Sequence, residues 1–201
     1  DICKFAGEET ALYAQKNVLA AWYYDTADSE KVMKDILKDM GLDDKTFPAK
    51  IVLNLISREK DAMSDPDNCM ANAKANGDIR MTQIAKCYRR YQAQLKENDA
   101  VDFDDIILRT VELLQNNEQV RTYYQRKFRY VLIDEYQDTN MLQDTIFKLI
   151  SHNNIFMVGD LKQSIYRFRG ADIRNILEFE KEFKNCCTIK LEENYRSTST
   201  I

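Results

Sequence analysis

Glycine and proline are scarce in this chain, five and two among 201 residues. So few punctuating residues exclude a loop-rich or repetitive scaffold and favour long regular elements. Histidine is scarcer still. His152 is the only imidazole, so a zinc site built on several histidines is excluded, and its place just past a predicted helix puts it on the surface. The cysteines, Cys3, Cys69, Cys87, Cys186 and Cys187, are odd in number and contain no CxxC pair, and the adjacent Cys186 and Cys187 make a strained bridge. Reduced thiols and a cytoplasmic location are the expectation. No apolar run approaches the roughly 20 residues of a membrane span, and no signal peptide opens the chain, so no membrane partner is expected. The net charge of -4 offers no whole-chain attraction for a polyanion, and any such contact must come from local clusters. The first residue is Asp1 rather than methionine, which reads as a piece of a longer protein.

What is present is an ordinary globular composition, 44% hydrophobic and 31% charged, in a chain long enough for one or two cores. Its two halves differ in period. Over residues 25–98 the pattern is helical. Met33, Ile36, Leu37 and Met40 recur at i, i+3, i+4 and i+7, the spacing of one buried face. Asp25 and Thr26 suit the start of that helix and Gly41 its end. Pro48 suits a first helical turn, after which Ile51, Val52, Leu55 and Ile56 line one side. Gly77-Asp78 reads as a turn, and Ile84, Tyr88, Tyr91 and Leu95 form a further stripe. These residues predict a small all-helical unit. Residues 1–24 stay unassigned, since Ala11 to Tyr24 suits a helix or a strand.

From residue 99 onward the character changes. Asp104-Asp105 reads as the cap of a helix carrying Ile106, Ile107, Val111 and Leu114. Arg126 to Arg129 reads as a solvated helix end. Tyr130 to Asp134 and Ile155 to Asp160 are short apolar runs ending in carboxylates, and Thr188 to Leu191 resembles a third. Helical patterns at about 141–151 and 172–183 lie between them. The fold class expected is α/β, with a parallel sheet covered on both faces. In such sheets ligands bind beyond the carboxyl ends of the strands, where both acidic runs end.

Three constellations sit at that edge or after it. Asp134-Glu135-Tyr136-Gln137-Asp138 directly follows a strand. Phosphoryl transfer to water needs a Mg²⁺ ligand and a group that handles the attacking water, and neighbouring carboxylates pointing to opposite sides can divide that work. Alone, the same pattern is more often an acidic strand-to-helix turn, with Asp138 or Thr139 capping the next helix. Next comes Gly159 to Ala171, where Gln163 precedes an alternation of Tyr166, Arg167, Phe168 and Arg169. Aromatic faces stack on bases of any sequence and arginines hold phosphates. Its bland reading packs both rings in the core. Third, Leu191 to Ser197 carries Tyr195 and Arg196, able to stack on a purine and to meet phosphate charge; alone it reads as a surface salt-bridge segment.

In this order the three resemble the UvrD/PcrA/Rep-type superfamily 1 DNA helicases. DEYQD at 134–138, GDLKQSIYRFRGAD at 159–172 and LEENYRS at 191–197 look like that family's motifs II, III and IV. The resemblance implies a RecA-like P-loop NTPase motor domain, incomplete here, over residues 99–201. Residues 25–98 would be its inserted helical subdomain, called 1B, with the return into the motor domain at Val101 to Ile106. It implies ATP and Mg²⁺ as cofactors, single-stranded and duplex DNA as partners, and further motor domains on the same polypeptide. Asp134 would hold Mg²⁺, Glu135 would be the catalytic base and Gln163 would sense the γ-phosphate. Tyr166, Phe168 and Arg169 would meet DNA, Tyr195 the adenine and Arg196 the γ-phosphate; many relatives have tryptophan in place of Phe168. The activity implied is 3′-to-5′ DNA translocation and unwinding in repair or replication. Alternatives are the helicase subunit of a recombination helicase-nuclease, against which Gly170 to Ile173 speaks, and a non-enzymatic binding module. The phosphate-cradling GxxxxGK(S/T) loop is absent, since no glycine here is followed by lysine. It is expected upstream, and the isolated fragment is expected to be inactive.

Overall fold

The computed structural model describes residues 22–152 and 154–163, together with 176, 178–179, 181, 183 and 185–192. The helical expectation for the first half holds. Helix α1 (Thr26–Asp39) starts where the Asp25 carboxylate accepts the N–H groups of Ala27 and Asp28 at 2.8 and 2.9 Å. It ends at Gly41, whose φ of +64° only glycine adopts without strain. Helix α2 (Ala49–Asp61) begins one residue later than expected, because Pro48 is extended and caps it from outside. Helices α3 (Pro66–Ala75) and α4 (Ile79–Glu97) follow, each capped by an aspartate, Asp65 and Asp78, with Gly77 turning the chain between them. Met33, Leu37, Val52, Ile56, Ile84, Tyr88, Tyr91 and Leu95 share one buried core. Ile51, expected on the buried side, is 44% exposed; Val52 and Ile56 fill the face instead.

Two short parallel pairs complete the described fold. Strand β1 (Trp22–Tyr23) pairs with β2 (Ala100–Val101), through Trp22 N–H to Asp99 O at 2.6 Å and Tyr24 N–H to Val101 O at 3.0 Å. Residues 22 and 23, open between helix and strand by sequence, are therefore strand, and the chain enters and leaves the helical unit at neighbouring points. Helix α5 (Phe103–Asn116) is capped by Asp102, which accepts the Asp105 N–H at 2.8 Å. Asp104 and Asp105 are not the cap: only Asp102 has the extended backbone a cap needs, and the other two lie in the first turn. Helix α6 (Glu118–Lys127) leads to β3 (Val131–Ile133), then α7 (Met141–Ile150) and β4 (Ile155–Met157).

β3 and β4 pair in parallel, with Val131 opposite Ile155 and Ile133 opposite Met157. Among the described residues, however, the sheet is not covered on both faces. Val131, Ile133, Ile155 and Met157 pack with Tyr136, Phe147 and Ile150, whereas Leu132 is 72% and Phe156 58% exposed. Nor is Thr188 to Leu191 a strand. It is irregular, with Ile189 75% and Leu191 85% exposed, because no described strand pairs with it or buries it. Of the helix expected over 172–183, residues 176, 178–179 and 181 are described and helical. His152 is exposed, and Cys69, Cys87, Cys186 and Cys187 carry free thiols. No helix among the described residues is long and apolar enough to cross a membrane.

Candidate functional site

β3 and β4 end side by side, locked by Val158 N–H to Ile133 O at 2.8 Å and Tyr136 N–H to Val158 O at 2.9 Å. The acidic motif starts there, but not as an extended strand with alternating side chains. β3 stops at Ile133, and Glu135 takes the left-handed conformation at φ +50° and ψ +42°, ahead of a 3-10 turn over Tyr136–Asp138. That conformation costs a non-glycine residue about 1 kcal/mol and survives only where the surroundings hold it. On the backbone, Glu135 N–H donates to Asp134 Oδ1 at 2.9 Å and Glu135 O accepts the Asp138 N–H at 2.9 Å, while a side-chain amide holds its carboxylate. Gln137, 1% exposed, donates from Nε2 to Glu135 Oε2 at 2.6 Å, and its Oε1 accepts the Asp160 N–H at 3.0 Å.

Asp160 continues the chain of bonds after β4. Its Oδ1 accepts the Lys162 N–H at 2.9 Å and its Oδ2 accepts Gln163 Nε2 at 2.9 Å. These bonds, the Lys162 N–H foremost, hold its carboxyl below the usual carboxylate range. Gly159 explains the close approach: a Cβ there would stand 2.9 Å from Gln137 Oε1 and 3.0 Å from Ile176 Cδ1. Glu135, Gln137, Asp160 and Gln163 thus form one hydrogen-bonded chain across the carboxyl ends of both strands. Asp134 stands beside it, exposed, with Oδ1 accepting the Glu135 N–H at 2.9 Å and no other partner among the described residues.

Behind this chain the motif is anchored. Tyr136, 1% exposed, donates its hydroxyl to Asp144, which pairs with Lys148 at 2.7 Å. Neither Asp138 nor Thr139 caps α7. Asn140 does, in a reciprocal box with Gln143 at 2.9 and 3.1 Å, because Thr139 donates its hydroxyl back to Tyr136 O at 2.7 Å. The far end of the Asn140 amide donates to Asp61 Oδ1 at 2.9 Å, reaching α2 of the helical unit. A cleft of about 460 Å³ opens at this junction, lined by Asp61, Asp104 and Asp138 with Ser57 and Phe103, and by no cation among the described residues. Burial, then the neighbouring Asp104 charge, pushes the Asp61 carboxyl up to about 6; burial also raises Asp104.

One further cluster was invisible in the sequence. Lys60, with no exposed surface, lies 2.7 Å from Asp102 Oδ2 and 2.9 Å from Asp105 Oδ1, with its ammonium 5.4 Å from the Tyr91 ring centre. Tyr91 donates its one hydroxyl proton to Asp102 Oδ2 at 3.1 Å and accepts from the Ser29 hydroxyl at 2.9 Å, and Gln92 donates to Asp105 Oδ1 at 3.2 Å. Lys60 sits in Ser-Arg-Glu-Lys-Asp, which reads as a solvated face.

Of the residues singled out by sequence, Glu135 and Gln163 join one network and Asp134 borders it. Tyr166, Phe168, Arg169, Tyr195 and Arg196 lie outside the described residues. Sequence reasoning missed Gln137 and Asp160. The available signal was their position, two residues after Glu135 and at the end of the second apolar run.

Comparison with known proteins bears on this arrangement. Residues 9–184 match the family model described as the UvrD/REP helicase N-terminal domain. The ATP-dependent DNA helicase PcrA of Staphylococcus aureus (strain Mu50 / ATCC 700699) is 44% identical over 179 residues. That of Staphylococcus epidermidis (strain ATCC 12228 / FDA PCI 1200) is likewise 44% identical over 179 residues. Each match covers 88% of this chain and 24% of the relative, so the chain spans about a quarter of the length of these curated relatives.

Proposed function

The chain belongs to the UvrD/REP helicase family, and from that premise we propose that it is a segment of an ATP-dependent DNA helicase whose two strand-end turns form part of the hydrolytic site. The observation that carries this reading is the hydrogen-bonded chain from Glu135 to Gln163, which joins a candidate base to a candidate phosphate sensor. Residues 99–201 are assigned to a RecA-like P-loop motor domain. Residues 25–98 are assigned to a helical insertion, supported by the adjacent entry and exit at β1 and β2, and residues 1–24 remain unassigned.

In this proposal Glu135 takes a proton from the attacking water. The water oxygen bonds to the γ-phosphorus as the bond to the β,γ-bridging oxygen breaks, and ADP leaves with that electron pair. Asp134 holds Mg²⁺. An exposed carboxylate with one oxygen unpartnered among the described residues would suit a hard cation such as Mg²⁺. When bound, that ion neutralises charge on the β- and γ-phosphates. Gln163 senses the γ-phosphate. On the motif match alone, Tyr166, Phe168 and Arg169 are assigned to single-stranded DNA, Tyr195 to adenine and Arg196 to the γ-phosphate across the cleft between motor domains. The direction is assigned as 3′ to 5′ and the setting as DNA repair or replication. With no phosphate loop in this sequence, the chain alone does not turn over ATP.

The test is Glu135→Gln in a longer protein carrying this segment together with a phosphate loop. Turnover should fall by about 10²–10⁴-fold, with ATP affinity nearly unchanged, because an amide keeps the shape but takes no proton. Unchanged turnover, or affinity lost in step with it, overturns the assignment.

A further inference from the structure

We infer that Gln137 is a positioning residue for hydrolysis, its buried amide holding one oxygen of the Glu135 carboxylate and tying it to the turn that carries Gln163. The inference rests on the reading of Glu135 as the base and goes beyond it, since no motif role is assigned to Gln137 above. Burial is the first argument. Gln137 is 1% exposed, yet the carboxylate it holds belongs to an exposed residue. An exposed glutamate normally samples many rotamers, and ordering it needs a fixed partner.

The direction of the amide is the second argument. The Asp160 N–H can only donate, so the Gln137 oxygen must face it, and the Gln137 NH₂ must then face Glu135. The order of donors and acceptors is therefore set by the backbone of the neighbouring strand end. The third argument is Gly159. A methyl group there would meet Gln137 Oε1 at 2.9 Å, so glycine at 159 is what lets the backbone after β4 approach this oxygen. With Oε2 committed to Gln137, Glu135 Oε1 has no partner among the described residues and is left to accept a proton. Asp160 receives Gln163 through one oxygen and gives its N–H to Gln137, so the position of Gln163 is relayed to Glu135 through two residues, Asp160 and Gln137.

The experiment uses the same longer, ATP-hydrolysing protein with Gln137→Glu, Gln137→Met and, as reference, Glu135→Gln. Steady-state kcat and KM for ATP are measured between pH 5.5 and 9, beside a thermal melt. Gln137→Glu keeps the acceptor for the Asp160 N–H but sets a second carboxylate against Glu135. The acid limb of its kcat profile should move up by about one pH unit, with the rate recovering at alkaline pH. A folding defect does not recover in that way. Gln137→Met should lower kcat by about 10- to 100-fold, with KM changed little. A Gln137→Glu profile that superimposes on the wild type, with Gln137→Met at full kcat and Glu135→Gln inactive, overturns the role of Gln137 and leaves the base assignment standing. Full turnover in Glu135→Gln overturns the base assignment itself.

Discussion

Lys60→Met should be the most damaging single change in the helical unit, although the sequence around it reads as surface. The wild-type ammonium has no exposed area, and its partners Asp102 and Asp105 have side chains only 13% and 4% exposed. Methionine fills nearly the same space and removes the charge. What remains is two nearly buried carboxylates close to each other, with Tyr91 and Gln92 as neutral donors. Truncating one partner of a buried ion pair typically costs 3–5 kcal/mol, far more than the pair contributes relative to an apolar replacement. For a chain of this size that corresponds to a fall of roughly 6–20 °C in melting temperature. Lys60→Arg keeps the charge but not the shape, and should lose less. The triple variant Lys60→Met, Asp102→Asn, Asp105→Asn should recover most of the loss, because it removes the stranded charges and keeps a capping residue at 102. Urea titration followed by circular dichroism and by tyrosine fluorescence reads all three. A loss below about 1 kcal/mol for Lys60→Met, or a triple variant no better than the single one, refutes the reasoning.

Two further outcomes follow from the junction beside the cleft. Asn140→Asp should keep the α7 cap but set a carboxylate against Asp61, costing about 1–2 kcal/mol; adding Asp61→Asn re-forms the bond in reverse, and a double-mutant cycle with no coupling would remove this contact from the account. Asp61 also titrates with a definite sign. Its folded value of about 6 lies above the ordinary 3.8, so the folded protein takes up the proton more readily. The site's contribution is complete below the ordinary range and is lost as pH rises through about 6. Water screening of a half-exposed carboxyl reduces it to roughly 1 kcal/mol. Wild type should therefore gain more melting temperature than Asp61→Asn between pH 7.5 and 5, and equal gains would show that Asp61 is not the group involved.

How much was legible varied with the range of the interaction. The stripe Met33, Ile36, Leu37 was readable because helical burial repeats at a period the sequence displays. The cap of α5 was misread by two residues. Aspartates stand at 102, 104 and 105, and only backbone angles, which no residue type declares, select Asp102. The strands β3 and β4 showed as apolar runs. Whether Leu132 and Phe156 are covered depends on elements packed over them, and Val-Leu-Ile reads alike in either case. At the site, the carboxylates Asp134 and Glu135 stood out, whereas Gln137 looked like any polar turn residue. It bonds the turn after β4, 23 positions away in sequence, as the Asp160 contact records. Lys60 finds Asp102 across 42 positions and is the extreme case.

The acidic motif is held from two sides, and that limits how it can move. On one side Gln137 bonds the end of β4; on the other Asn140 bonds Asp61 of α2, with only Asp138 and Thr139 between them in the chain. Thr139 is itself tied to Tyr136, and the Tyr136 hydroxyl to Asp144 inside α7. A displacement of the turn carrying Gln163 that drags Gln137 therefore cannot be absorbed by loose residues behind it. It must stretch the Asn140–Asp61 bond or carry α2 along. α2 in turn cannot shift alone, because Lys60, next to Asp61, is bound to both aspartates at the start of α5. The contacts are short, buried and charge-assisted at that end, and single and neutral-donor at the Asn140 end. The Asn140–Asp61 bond is thus a single link with a neutral donor between the acidic motif and α2.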